Sequence, residues 1–202
     1  QEGLMKCFSW TSWVAPCYIE LAKDVLKGTG IQVASTLNFP IANDTLPMKI
    51  AALKEMIKTG VDQFDFPPNP GLLLGGEEKA YFEEMKQIVE VAHASGVVVK
   101  AMLEFGYITT PELKAKAAQL ACEAGIDWVK QSSGWGVGGC PADVEDVKIL
   151  KANIELPCRV KVSGKVNTLE KMKAMFEAGA ELVGTSSGPA IVDGLVGDIN
   201  AY

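Results

Sequence analysis

The chain is poor in histidine and has no long apolar run. His93 is its one histidine. That leaves a histidine-based mechanism a single candidate and excludes metal centres built on several histidines. No apolar stretch approaches the roughly 18 residues of a membrane-spanning helix, which excludes that placement. Basic charge is short as well: 19 Lys and Arg stand against 25 Asp and Glu, a net charge of −6, which argues against a nucleic-acid footprint over the whole chain. The five cysteines (Cys7, Cys17, Cys122, Cys140 and Cys158) are odd in number and show no C-x-x-C spacing. They read as reduced thiols of a cytoplasmic protein, not as a disulfide framework or a zinc site. No charged segment followed by an apolar one opens the chain, so no signal peptide is expected. What is present is 48% hydrophobic and 22% charged residues over 202 positions. That composition excludes disorder as the main state and fits one domain, 1–202, with a sizeable core.

Short apolar runs alternate with stretches of helical spacing. Strands are expected at 4–10, 31–40, 61–66, 97–105, 126–132, 158–163 and 182–186. Helices are expected at 15–27, 47–58, 77–95, 110–124, 141–153 and 169–178, with a short one from Pro189. Pro67, Pro68 and Pro70 close the strand at 61–66. A weak repeat runs through the pattern: Gly60-Val-Asp-Gln-Phe-Asp65, Gly125-Ile-Asp-Trp-Val-Lys130 and Gly179-Ala-Glu-Leu-Val-Gly184. In each copy a glycine ends a helix and a buried strand follows. Seven βα units predict an α/β fold with a parallel sheet. A doubly wound sheet fits that number, but it usually carries a glycine-rich turn after its first strand. Thr11-Ser12-Trp13, read as that turn, has no glycine. The alternative is a (β/α)8 TIM barrel, which needs one strand more. The chain begins at Gln1 and not at Met, so the missing first strand is easiest to place before it.

In such a barrel, chemistry sits at the C-terminal ends of the strands. Asp65 and Glu104 lie at two of those ends, and two lysines stand in or at the end of apolar runs. Lys130 follows Ile126-Asp-Trp-Val129, and Lys161 lies between Val160 and Val162. A lysine in a buried strand is costly unless paired. One reading is an ion pair with Asp65 or Glu104, or a side chain reaching out to water. The other starts from neighbouring parallel strands being about 4.8 Å apart. Two inward lysines at that spacing suppress each other's charge, and desolvation acts the same way. A neutral amine results, as Schiff-base chemistry on a carbonyl requires, with Asp65 available to move protons.

Gly184-Thr185-Ser186-Ser187-Gly188-Pro189 reads either as an anion cradle at a helix start or as an ordinary capped loop. Ser163-Gly164 on the preceding strand favours the cradle. Gly136-Val-Gly-Gly139 has no strand directly before it and is a weak phosphate signal. Cys122 and Cys158 read as core. Trp10 and Trp13 either line a substrate mouth or pack under loops. His93 lies in a helix and reads as structural.

The order of the strand ends resembles the deoxyribose-phosphate aldolase family over roughly residues 9–191. The residues that carry the likeness are Ile31-Gln-Val-Ala-Ser-Thr-Leu-Asn-Phe39-Pro40, Asp65, Val97-Val-Val-Lys-Ala-Met-Leu-Glu104-Phe-Gly106, Lys130-Gln-Ser-Ser-Gly134, Lys161-Val-Ser-Gly164 and Gly184-Thr-Ser-Ser187. The resemblance implies a class I aldolase, a lyase of deoxyribonucleotide breakdown. It would reversibly cleave 2-deoxy-D-ribose 5-phosphate to glyceraldehyde 3-phosphate and acetaldehyde. Lys130 would form the Schiff base. Asp65, through a water, would move the proton that makes the enamine. Lys161 would depress the proton affinity of Lys130. Ser133, Ser163, Gly164, Lys165, Gly184, Thr185, Ser186 and Ser187 would bind substrate and phosphate. No metal or organic cofactor is implied, and the chain would act as a homodimer or higher homo-oligomer.

Four residues depart from the family pattern. Gln131 stands for the usual Thr and Phe105 for the Thr of Glu-Thr-Gly. Lys165 replaces the second glycine of the phosphate-binding pair, and Asn167 replaces an Arg or Lys. A Cβ at position 165 blocks close backbone approach to phosphate, or the Lys165 ammonium contacts the phosphate itself. Two alternatives to the leading reading therefore stand. One is a related class I aldolase for a different aldehyde or ketone, with or without phosphate. The other is a barrel that binds a phosphorylated metabolite without turnover.

Overall fold

A computed structural model describes residues 11–198. The expected strand at 4–10, with Cys7 and Trp10, lies outside the described residues. Seven parallel strands form one sheet in sequence order: β1 (Thr11–Trp13), β2 (Gln32–Thr36), β3 (Gln63–Phe66), β4 (Val98–Met102), β5 (Trp128–Lys130), β6 (Arg159–Ser163) and β7 (Leu182–Gly184). The helices between them are α1 (Ile19–Val25), α2 (Leu46–Lys58), α3 (Pro70–Leu74), α4 (Glu78–His93), α5 (Pro111–Glu123), α6 (Val144–Ala152), α7 (Leu169–Glu177) and α8 (Gly188–Val192). The alternation is that of a (β/α)8 TIM-type barrel. Among the described residues β1 pairs only with β2, and β7 only with β6.

Two expectations are corrected. Thr11-Ser12-Trp13 is not a turn: it pairs with Gln32, Val33 and Ala34 as β1. Trp13 sits on that strand, about half exposed. The prolines after β3 do more than close it. Asn69 caps the Gly71 N–H with its side chain, and Pro70 opens the short helix α3, where its missing N–H costs nothing.

The strands look uniformly apolar in sequence, yet the register separates two faces. Phe64, Phe66, Val99, Ala101, Val129, Val160 and Val162 belong to the apolar core shared with the helices. On α4 the buried residues Tyr81, Glu84, Met85, Ile88, Val89 and Ala92 repeat at helical spacing, a stripe facing inward. The alternate strand positions include Gln63, Asp65, Lys100, Lys130 and Lys161. All are buried, and the last four are joined in ion pairs. Asp65 pairs in register with Lys100, and Lys130 with Lys161.

The sheet is strongly curled. β3 and β6 are three strand positions apart, which in a flat sheet means about 14 Å at the usual spacing. Lys161 Nζ nonetheless lies 2.6 Å from Asp65 Oδ2.

The sequence repeat has a structural meaning at the opposite end of the strands. Gly60 and Gly125 end their helices with φ of 95° and 88°, a region open to glycine. Two residues later an acid clamps the preceding strand. The Asp62 N–H donates to Val33 O at 2.9 Å, and Asp62 Oδ2 accepts the Val33 N–H at 2.7 Å. Asp127 does the same with Val99, at 3.2 and 2.8 Å. Each acid also meets a basic side chain from a helix: Lys23 on Asp62, His93 on Asp127 and Lys151 on Glu181. His93 thus meets Asp127, the acid that clamps Val99 next to Lys100. Asp127→Ala is expected to lower stability by about 1–3 kcal/mol, because the Val99 N–H loses its acceptor. Asp127→Asn, which keeps an acceptor oxygen, should lose less. Urea unfolding of both variants checks this.

Candidate active site

Asp65 occupies the penultimate position of β3 and is fully buried. Its Oδ2 accepts hydrogen bonds from Lys130 Nζ at 2.8 Å and Lys161 Nζ at 2.6 Å. Its Oδ1 lies 3.4 Å from Lys100 Nζ. That contact is an ion pair but not a directed hydrogen bond, and Oδ1 has no other partner among the described residues. One carboxylate thus faces three lysines from three consecutive strands. Lys130 and Lys161 are 4% and 8% exposed, and Lys100 only 1%.

The two readings of the strand lysines meet here. Both Lys130 and Lys161 are ion-paired, and with Asp65 as the partner. They also converge on a single oxygen, which is the close approach that amine chemistry needs. Lys100 went unmarked in the sequence. It sits in Val97-Val-Val-Lys-Ala-Met-Leu103, as deep in an apolar run as Lys161, and the same rule applied to that run finds it.

The charges do not balance. Three ammoniums and one carboxylate would leave two positive charges in a buried space. Burial alone pushes the Asp65 carboxyl up, but the ammoniums of Lys130, Lys161 and Lys100 outweigh it and hold it well below the usual carboxylate range. Burial pushes Lys161 down to about 7, against the pull of Asp65, and Lys130 and Lys100 push it further down. Burial lowers Lys100 too, opposed by Asp65. The imbalance lowers the proton affinity of Lys161 and Lys100 below the ordinary lysine range.

The expected phosphate residues gather at the ends of β6 and β7. Ser163 pairs in register with Gly184. A Cβ on Gly184 would stand 2.7 Å from the Ser163 hydroxyl, so the glycine makes room for it. Lys165 is exposed and holds φ 55°, the backbone of a glycine position, with a long basic side chain added. Thr185 Oγ1 donates to Val166 O at 2.6 Å and accepts the Ser187 N–H at 3.0 Å. Ser187 is buried, and Gly197 packs against its side chain so closely that a Cβ there would be 2.1 Å from the hydroxyl. Ser186 is exposed. Gly164 is buried at φ 105°.

Ser133 lies under the loop after β5, where its N–H donates to Glu104 Oε1 at 3.1 Å. Gln131, buried in place of the family threonine, donates from Nε2 to Ser163 O at 2.6 Å and ties the ends of β5 and β6 together. Phe105 is buried with the Lys114 ammonium 5.1 Å from its ring centre. Asn167 is buried, and its Oδ1 accepts from Lys171 Nζ at 3.1 Å. Gly136-Val-Gly-Gly139 is part of the same loop after β5. The Gly138 carbonyl accepts the Gly106 N–H at 3.2 Å, joining that loop to the one after β4.

Comparison with known proteins gives a consistent result. A model of the family described as DeoC/LacD family aldolase matches residues 16–194. The deoxyribose-phosphate aldolase of Thermoanaerobacter sp. (strain X514) is 39% identical over 181 residues, covering 89% of this chain and 80% of that protein. A solved structure titled "QR15, an Aldolase" superposes with a TM-score of 0.85 at 27% identity, over 95% of this chain and 85% of that one. The fold is shared with the deoxyribose phosphate aldolase of Aeropyrum pernix, whose title describes a unique tetrameric structure. There the TM-score is 0.80 at 24% identity, over 90% of this chain and 75% of that one.

Asp65→Asn is expected to cost about 3–5 kcal/mol of stability at pH 7, because it strands buried ammoniums. A lysine whose proton affinity is lowered by folding binds fewer protons folded than unfolded. Stability therefore rises with pH from the folded value, about 7 for Lys161, toward the ordinary lysine range. Asp65→Asn removes the charge that holds protons on these lysines, so the folded variant binds fewer protons than the folded native chain and its deficit should shrink between pH 7 and pH 9.5. Denaturant unfolding at the two pH values measures it.

Proposed function

Because the chain belongs to the DeoC/LacD aldolase family, we propose that it is a class I aldolase acting on 2-deoxy-D-ribose 5-phosphate. The products are glyceraldehyde 3-phosphate and acetaldehyde, formed reversibly. The observation that carries this reading is the single Asp65 oxygen shared by Lys130 and Lys161, at 2.8 and 2.6 Å.

Lys130 is the nucleophile. Its neutral amine adds to the C1 carbonyl, and loss of water from the carbinolamine leaves an iminium. Lys161, with a proton affinity near neutral pH, exchanges protons with Lys130 across Asp65 Oδ2 and keeps Lys130 free to attack. Asp65 stays ionised and passes protons between the two nitrogens and, through water, to the carbinolamine. The iminium draws the C2–C3 bonding pair, the C3 hydroxyl gives its proton through water to the neutral Lys161 amine, and glyceraldehyde 3-phosphate leaves. The enamine on Lys130 is then protonated at carbon, and water releases acetaldehyde.

Ser133, Ser163, Gly164, Lys165, Gly184, Thr185, Ser186 and Ser187 form the substrate side of this proposal. Lys165 supplies the charge for phosphate in place of a bare glycine backbone. A second reading, a related aldolase for a non-phosphorylated aldehyde or ketone, draws support from one observation. The Thr185 hydroxyl and the Ser187 N–H are already spent on internal bonds. Assembly of several copies of this chain belongs to the same proposal, supported by the tetramer named for the Aeropyrum pernix protein. So does a cytoplasmic setting, supported by the free thiols of Cys17, Cys122, Cys140 and Cys158.

Incubation with 2-deoxyribose 5-phosphate and sodium borohydride should leave a reduced adduct on Lys130, mapped by peptide mass spectrometry and absent from Lys130→Ala. No adduct in the folded native chain contradicts the proposal. Lys165→Ala should raise KM for the phosphorylated sugar about tenfold to a hundredfold, the worth of a charged hydrogen bond. KM for unphosphorylated 2-deoxyribose should stay unchanged. Turnover of only the unphosphorylated sugar by the native chain would establish the second reading.

A further inference from the structure

Glu104, just past the end of β4, is a buried carboxylate that this scheme does not use. Leu103 N donates to Lys130 O and Phe105 N to Gln131 O, both at 2.8 Å. The ladder thus advances two residues past the end of β4 for one on the β5 side. Glu104 is the extra residue, a bulge, and its φ is 42°. Bulges beside active sites re-aim side chains, and a non-glycine residue in this region costs about 1–3 kcal/mol. The strain must be offset by something that the side chain does.

The Glu104 side chain is turned into the protein and the residue is 2% exposed. Oε1 accepts the Ser133 N–H at 3.1 Å. Oε2 is buried and has no hydrogen-bond partner among the described residues. Holding the Ser133 loop needs only Oε1, so the free oxygen is unexplained by a structural role. The charged and titratable groups that act on it are Lys130 on β5 and the Cys140 thiol on the loop after β5. Burial pushes the Glu104 carboxyl up to about 7, against the Ser133 hydrogen bonds and the Lys130 charge that pull it down. A carboxyl poised there both gives and takes a proton near neutral pH. Asp65 differs: three ammoniums hold it ionised, and its Oδ2 is already bound by Lys130 and Lys161.

We propose that Glu104 is a second acid–base group of this site, moving the proton on the carbon next to the imine carbon of a substrate held on Lys130. The proposal rests on the aldolase reading above. In the step, Glu104 Oε2 takes the proton from that carbon, and the C–H pair becomes the C=C bond of the enamine. The C=N π pair settles on the Lys130 nitrogen and cancels its positive charge. In the cleavage direction the protonated Glu104 returns the proton to the enamine carbon, and the product imine goes on to hydrolysis.

The test compares the native chain with Glu104→Gln, which keeps an oxygen for the Ser133 N–H and cannot titrate. Each is incubated with acetaldehyde in D2O, and deuterium entry into the methyl group is followed by NMR. Borohydride trapping on Lys130 and thermal melting are measured in parallel. The expected result is a normal Lys130 adduct and an unchanged melt, with exchange slowed at least about a hundredfold, the usual worth of a positioned acid–base group. Partial recovery of exchange in Glu104→Asp would support the assignment further. Exchange within about threefold of native overturns it. Trapping and thermal stability lost together in Glu104→Gln overturn it in favour of a structural role. If the native chain itself gives no Lys130 adduct, the aldolase reading fails first, and this step fails with it.

Discussion

The contact on which everything else depends is that of Lys130 and Lys161 with one oxygen of Asp65. It joins β3, β5 and β6, so the sheet must curl for it to exist. It also forces an electrostatic compromise. A single carboxylate compensates a single ammonium, and Lys100 brings a third. Burial raises the cost of every surplus charge, so the cluster yields protons more readily than free lysines do. An arrangement that would be a fault in a purely structural core suits the proposed amine chemistry at neutral pH.

The fold provides this compromise through register. Core-facing strand positions are apolar and pack on the helices. The alternate positions carry the polar cluster. Acid clamps at Asp62 and Asp127 tie the other ends of the strands to the helices. The strained Glu104 and the exposed Lys165, past the C-terminal ends of β4 and β6, are two of the four non-glycine residues at positive φ among the described residues. Strain at such places is retained when function repays it.

Much of this was legible in the sequence, for definable reasons. The βα alternation followed from short apolar runs between stretches of helical spacing, with Gly60 and Gly125 ending their helices, while the helix expected from 141 starts later, behind the Asp143 cap. Lys130 and Lys161 stood out because charge in an apolar strand is costly. Lys100 obeys the same rule, flanked by Val97-Val-Val99 and Ala101-Met-Leu103. The strand at Thr11–Trp13 was hidden by its brevity: three residues carry no periodicity. Helix α3 was masked by prolines that read as breakers and act as starters. The role of Glu104 could not be read at all. It depends on a one-residue slip between β4 and β5, which is a property of pairing and not of either strand alone.

The central claim is that three lysines around one carboxylate leave an amine neutral near pH 7. NMR titration of side-chain amines in protein labelled with 15N-lysine tests it most directly. The account predicts a lysine resonance titrating near pH 7 that disappears in Lys161→Met. Finding every lysine of the native chain still protonated at pH 9 would contradict it.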